Sequence, residues 1–116
     1  MLDAKNKLPR RESLKSRAEI DSLLKYGKKI SGDCFLAKWE KADEFRYAVL
    51  VSGKLGTSVQ RNRIKRLTRE AIRLNRNLLD ENIKLAVLFN NDSKNTSFEL
   101  INAEISRTFK LINRKA

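Results

Sequence analysis

Apolar residues recur along this chain with two different periods, and the change of period separates helices from strands. Ser16 and Glu19 have the spacing of a helix-capping box, and the apolar residues that follow return every three or four positions. Gly27 then stands where a helix commonly ends. This pattern predicts a first helix over residues 17–26.

An alternating pattern predicts two strands in the next part of the chain. Residues 34–40 and 45–52 place successive side chains on opposite faces, as strands with a buried side do. Asp43 lies between the two segments and favours a turn. We therefore predict a β-hairpin, with Trp39 on its inward face.

A long helix is predicted after the second strand. Thr57 and Gln60 repeat the capping-box spacing at its start. The apolar stripe expected to pack inward consists of Ile64, Leu67, Ala71, Leu74 and Leu78. The polar stripe expected on the far side consists of Arg61, Lys65, Arg69 and Arg76, with Asn62, Arg66 and Arg73 beside it.

The remaining pattern completes one domain. Residues 84–89 predict a last strand, and Thr96 and Glu99 open a last amphipathic helix, which gives the order α-β-β-α-β-α. A chain of 116 residues has the length for a single modest core, so we predict one domain over residues 1–116. Residues 1–15 are basic and have little to bury, which predicts a mobile basic arm.

Charge indicates the class of partner. The chain contains 26 Lys and Arg against 14 Asp and Glu, a formal net charge of +12. Such a bias favours polyanions as partners. No apolar run is long enough to cross a bilayer, and no secretory h-region is present, so we predict a cytoplasmic protein without a membrane partner.

Candidate catalytic chemistry is weak. The chain has no histidine and one cysteine, Cys34, so it offers neither a disulfide framework nor a metal-binding motif. Its adjacent carboxylates, such as Asp43 and Glu44, lie in predicted turns, where acidic residues are ordinary. We predict no catalytic residue, no metal site and no cofactor in the protein itself.

The basic helix carries the strongest functional signal. Seven Arg and Lys fall within residues 61–76, and like charges at this spacing repel one another on a helix. A face that only keeps the protein soluble is the simplest interpretation. Binding to phosphates explains the pattern better, because it relieves the repulsion and because the Arg guanidinium can donate two hydrogen bonds to one phosphate.

At this helix the chain resembles a known family. Residues 56–72, GTSVQRNRIKRLTREAI, are similar to the signature segment of the bacterial ribonuclease P protein subunit. The similarity extends in the same order to residues 11–27, to Phe35, to the Phe45-Arg46 and Val51-Ser52 pairs, and more loosely to the last strand and helix.

The resemblance implies a fold and an activity. The fold would be a two-layer α/β sandwich of the α+β class with a small central sheet and a left-handed βαβ crossover, against the usual right-handed rule. The protein would assist a catalytic RNA that removes the 5′ leader from precursor tRNA. The catalytic centre and its magnesium would belong to that RNA, and the protein would be a monomer outside the ribonucleoprotein.

The resemblance also assigns residues to two surfaces. Positions implied to contact the catalytic RNA are Lys54, Arg61, Asn62, Arg63, Lys65, Arg66 and Arg69, and we add Arg73 on the same helix. Positions implied to line a cleft for the leader are Ile20, Leu24, Leu36, Lys38, Leu50 and Ser52.

The leader cleft departs from the family pattern. Family members often carry aromatic residues at the positions of Ile20, Leu24 and Lys38, and bases stack on aromatic faces far better than on aliphatic ones. Ile20 and Leu24 therefore have two interpretations, as contacts to the leader or as ordinary core residues.

Two other functional classes are compatible with part of this pattern. A generic RNA- or DNA-binding module, such as a ribosomal protein, would share the basic helix, but a helix-turn-helix reader requires a second helix joined by a short turn, whereas a predicted strand precedes this helix. A self-sufficient nuclease would require a catalytic cluster that the sequence does not offer.

Overall fold

The computed structural model describes residues 12–90 and 96–115. Within these residues the α+β class is confirmed, with one strand more than predicted. The elements in chain order are α1 (Arg17–Tyr26), β1 (Lys28–Ser31), β2 (Leu36–Lys41), β3 (Arg46–Val51), α2 (Ser58–Asn75), a 3-10 turn (Arg76–Leu78), β4 (Ile83–Phe89) and α3 (Phe98–Lys115). Residues 1–11 of the predicted basic arm lie outside the described part.

The predicted hairpin of residues 34–40 with residues 45–52, which correspond to β2 and β3, is wrong. The sheet order is β1-β2-β4-β3, so β4 separates β2 from β3 and pairs antiparallel with β2 and parallel with β3. Five of the seven residues of β4 are buried. A strand inside the sheet is covered on both faces, which suits a sequence that is apolar on both. Helix α2 therefore connects two neighbouring parallel strands, and the handedness of this crossover stays a prediction.

Strand β1 was not predicted, because its sequence carries little hydrophobic signal. Of its four residues, only Ile30 is buried. It pairs antiparallel with β2 at the edge of the sheet, so the hairpin of this fold joins β1 to β2.

The main core lies between one face of the sheet and helices α2 and α3. Trp39 is fully buried there, as predicted, with Leu85 from β4, Ile72 from α2 and Phe109 from α3 in the same cluster. Helix α1 lies on the opposite face, where Leu23 packs with Ala48, Ala86 and Leu14. The sheet is thus fully covered on one face and partly covered on the other.

The buried stripe of α2 is rotated from the predicted one. Ile64 and Ala71 are buried as expected, but the stripe continues through Thr68 and Ile72. Leu74, expected in the core, is 49% exposed. The Thr68 hydroxyl donates to the Ile64 carbonyl at 2.7 Å, and this internal partner allows a polar residue to be buried.

Candidate RNA-binding surfaces

A short loop fixes the position of helix α2 directly after β3. Leu55 is fully buried and anchors the loop. Gly56 has φ +59, a left-handed conformation that other residues rarely adopt. Thr57 and Gln60 form the predicted capping box: the Thr57 hydroxyl accepts from the Gln60 N–H, and the Gln60 side chain accepts from the Thr57 N–H. The basic residues of the first turns are therefore held in a defined orientation.

Three of the four residues of the stripe predicted to project from the far side of α2 instead contact β3 or its flanking segments: Arg61, Arg69 and Arg76. The Arg61 guanidinium donates to the carbonyls of Gly53 and Gly56 at 3.1 and 3.0 Å. The Arg76 guanidinium pairs with Glu12 at 2.8 Å and lies 4.6 Å from the centre of the Phe45 ring. Arg61 therefore stabilises the loop before α2, and Arg76 holds the 3-10 turn after α2 against Glu12 and Phe45.

Arg69 of the same stripe contacts a buried phenol. Burial raises the pKa of Tyr47, and the nearby Arg69 charge and hydrogen bond oppose that rise. Arg69 remains exposed, so one side chain both touches β3 and reaches solvent. This position is suited to binding a phosphate beside the sheet edge.

The outward side of α2 presents the charge that remains available. Arg63 and Arg66 are exposed, although Arg63 also donates to the Thr96 carbonyl at 3.3 Å. Arg73 is paired with Glu70 and is therefore partly neutralised. The polar residues of α2 and of the loop before it that can still contact a phosphate form a set that we call the basic face: Lys54, Asn62, Arg63, Lys65, Arg66 and Arg69.

The residues predicted to form the leader cleft lie on one continuous surface of the sheet. This surface belongs to the face that carries α1, opposite the main core, and we call it the outer face. Leu36 lies opposite Leu88 in the β2–β4 register, and Leu50 lies opposite Leu88 in the β4–β3 register, so the three form one half-buried apolar row. Lys38 lies opposite Ala86 in the next row. The order of strands therefore brings together residues that are distant in the sequence.

Helix α1 forms one wall of this surface. Ile20 and Leu24 pack against the cluster around Leu23 but are only partly buried, so both interpretations offered by the sequence describe part of their surface. Ser52 lies just beyond β3, where its hydroxyl accepts from the Lys54 N–H at 3.2 Å. We call the surface of Ile20, Leu24, Leu36, Lys38, Leu50, Ser52 and Leu88 the sheet cleft. Leu88 was not predicted, because only the register of β4 places it there.

Two carboxylates beside the sheet, Glu19 and Glu44, form ion pairs. A cavity of about 430 Å³ on the other side of α1 is lined by Glu19, Glu44, Arg46 and Lys84, among others. Glu44 pairs with Arg46 at 2.6 Å, and Glu19 with Lys84 at 3.8 Å. Across residues 12–90 and 96–115, no three potential metal-ligating side chains gather.

The turn between β1 and β2 is tied to α3. The Cys34 N–H donates to the Glu104 carboxylate at 2.5 Å, and the Arg107 guanidinium donates to the Ser31 carbonyl at 3.3 Å. Burial, followed by the hydrogen bond to Glu104, raises the pKa of the Cys34 thiol, which favours its protonated, less nucleophilic form. Helix α3 thus holds the β1–β2 turn in place at the edge of the sheet.

Known proteins are similar to this chain in sequence and in fold. A family model described as Ribonuclease P matches residues 8–113. A ribonuclease P protein component from Fusobacterium nucleatum is 31% identical over 104 residues, covering 84% of this chain and 94% of that protein. One from Clostridioides difficile is 32% identical over 108 residues, covering 87% and 91%. The RNase P protein of Staphylococcus aureus superposes with a TM-score of 0.77 at 24% identity over 87% of this chain and 94% of that one, which shows a shared fold.

Proposed function

This chain belongs to the bacterial ribonuclease P protein family and is a protein subunit of that endoribonuclease, and we propose that its basic face binds the RNA subunit while its sheet cleft binds the 5′ leader of precursor tRNA. A generic nucleic-acid-binding module is not favoured, because the similarity covers nearly the whole chain.

The observation that carries the proposal is the separation of two kinds of surface. The basic face presents exposed cations and the half-buried Lys65 on a capped helix and the loop before it, a geometry suited to the phosphates of a folded RNA. The sheet cleft instead combines half-buried apolar side chains with Lys38, a combination suited to a single strand, whose bases and phosphates are both accessible.

Hydrolysis is assigned to the RNA subunit and its bound magnesium. The side chains of the basic face are ammonium and guanidinium groups and an amide, which can bind and orient phosphates by charge and hydrogen bonds. Catalytic assistance by this chain is therefore positional: it holds the RNA subunit and the leader of the substrate together, which reduces the entropy lost on reaching the reactive geometry.

A cytoplasmic location and a monomeric protein outside the ribonucleoprotein complete the proposal. The lone cysteine and the strong positive charge fit a reducing compartment rich in RNA. In the part of the chain that the structure describes, no helix combines the length and apolarity of a membrane span.

Changing Lys38 to Glu tests the sheet cleft. We expect the holoenzyme to bind precursor tRNA about three- to tenfold more weakly, since an attraction to a leader phosphate becomes a repulsion. Binding of mature tRNA, which has no leader, should be unchanged. Equilibrium binding of both tRNAs at fixed salt and magnesium measures the difference.

Lys41→Glu is the matched control for this experiment. Lys41 is on the same strand and undergoes the same charge change, but it lies at the far end of β2 and pairs with Glu81 at 3.5 Å. It should affect precursor and mature tRNA equally. If Lys38→Glu also weakens both equally, the sheet cleft does not bind the leader.

A further inference from the structure

Strand β1 places a second lysine beside Lys38. Lys29 and Lys38 are direct partners in the β1–β2 register, so both side chains project from the outer face of the sheet. Cβ atoms of such partners lie only about 4.5–5.5 Å apart, and like charges directly opposite each other are destabilising. The arrangement therefore lacks a structural benefit of its own.

The described residues form no ion pair with Lys29 or Lys38. Two other lysines on the strands do have carboxylate partners, Lys41 with Glu81 and Lys84 with Glu19. Within residues 12–90 and 96–115, no carboxylate lies within 4.0 Å of the ammonium of Lys29 or Lys38. An anion between the two side chains would remove the repulsion.

A cavity continues the sheet cleft past this pair. It has a volume of about 210 Å³ and is lined by Lys29, Ser31, Asp33, Leu36 and Asn90, among others. Leu36 belongs to both the apolar row of the cleft and the cavity, so the two are continuous. The contacts of Glu104 and Arg107 hold the turn that forms the cavity wall.

We propose that the single-stranded leader crosses the sheet from β3 towards β1, and that Lys29 and Lys38 together bind one of its backbone phosphates. The sugar and base of that nucleotide enter the cavity beside Ser31 and Asn90. The direction follows from the basic face, which lies beyond β3, so that a strand leaving the bound RNA reaches β1 last. This inference rests on the proposed function of the sheet cleft.

A lysine pair also specifies what is recognised. Two ammonium groups bind a phosphate as point charges, whatever the base attached to it. In this chain the leader would thus be held at β1 by charge, with weak dependence on sequence, and its binding there would fall as salt rises.

The test is Lys29→Glu in the reconstituted holoenzyme, with precursor tRNAs whose leaders are lengthened one nucleotide at a time. Binding of long-leader precursors should weaken about three- to tenfold, and binding of mature tRNA should not change. The effects of Lys29→Glu and Lys38→Glu should begin at the same leader length, because both lysines bind the same phosphate.

Lys28→Glu is the matched control. Lys28 is the adjacent residue on β1, but its ammonium lies over the Trp39 ring, 4.8 Å from its centre, on the core face of the sheet. Thermal unfolding of both variants establishes that each is folded. The effect of Lys28→Glu on binding of precursor tRNA should not depend on the length of the leader.

The outcomes separate this inference from the proposed function. If Lys38→Glu discriminates precursor from mature tRNA but Lys29→Glu does not, the sheet cleft stands and the path over β1 is overturned. If neither variant discriminates, the cleft itself is not the leader site. Onset of the two effects at different leader lengths would overturn the binding of one phosphate by both lysines.

Discussion

Replacing Ile72 by Ala should lower the free energy of unfolding by about 2–5 kcal/mol. Ile72 is fully buried on α2 and belongs to the main core between the helices and the sheet. Truncation removes apolar contacts and leaves a cavity that the surrounding strands can fill only in part. Denaturant unfolding of the purified protein measures the change.

Leu74→Ala is the control on the same helix. Leu74 is 49% exposed, so its truncation should cost less than about 1 kcal/mol. The sequence alone predicts the reverse, with Leu74 in the core stripe. A larger loss at Leu74 than at Ile72 would show that the helix is rotated differently from the structure.

The second large effect concerns the basic face. Replacing Lys54, Lys65 and Arg66 together by Ala should weaken binding to the RNA subunit by roughly 100-fold, at about 1 kcal/mol for each phosphate contact. The slope of log affinity against log salt should fall by about 2–3, since each contact contributes roughly 0.7–0.9. Titration of the RNA at several salt concentrations measures both quantities.

A matched triple variant on α3 controls for net charge. Lys110, Arg114 and Lys115 are exposed, and their replacement by Ala removes the same charge from another surface. This variant should retain most of the affinity and most of the salt slope. Equal losses in the two triple variants would mean that binding depends on overall charge and not on the basic face.

The choice of Lys54, Lys65 and Arg66 depends on the structure. Arg61 supports the loop before α2 through two carbonyls, and Arg69 contacts Tyr47, so their loss would mix stability with binding. Helical periodicity predicts that a residue is on a given side of a helix. It does not predict which loop or strand lies within reach of that side.

Local signals in the sequence predict local structure well. The Ser16 cap of α1, the capping box of α2, the alternation in β2 and β3, and the apolar run of β4 correspond to elements of the fold, although Glu19 does not complete a capping box at α1. These features depend on residues a few positions apart, and such short-range preferences act directly on the backbone. The family resemblance then identified the class of protein that the comparisons confirm.

Pairing between distant segments could not be predicted from such signals. Adjacent strands in the sequence suggested a hairpin of β2 and β3, but β4 lies between them because it buries more apolar surface. Strand β1 has a single buried residue and is defined by its partner β2. For this reason Leu88 and Lys29 were absent from the predicted cleft, although both lie on its surface or its continuation.

The decisive experiment is cleavage of precursor tRNA at fixed salt and magnesium by three preparations: the purified protein, the RNA subunit, and both together. We expect the combination to remove the 5′ leader at a higher rate than the RNA subunit does, and the protein by itself to cleave nothing. Cleavage by protein free of RNA, or an RNA rate unchanged when the protein is added, would contradict this expectation.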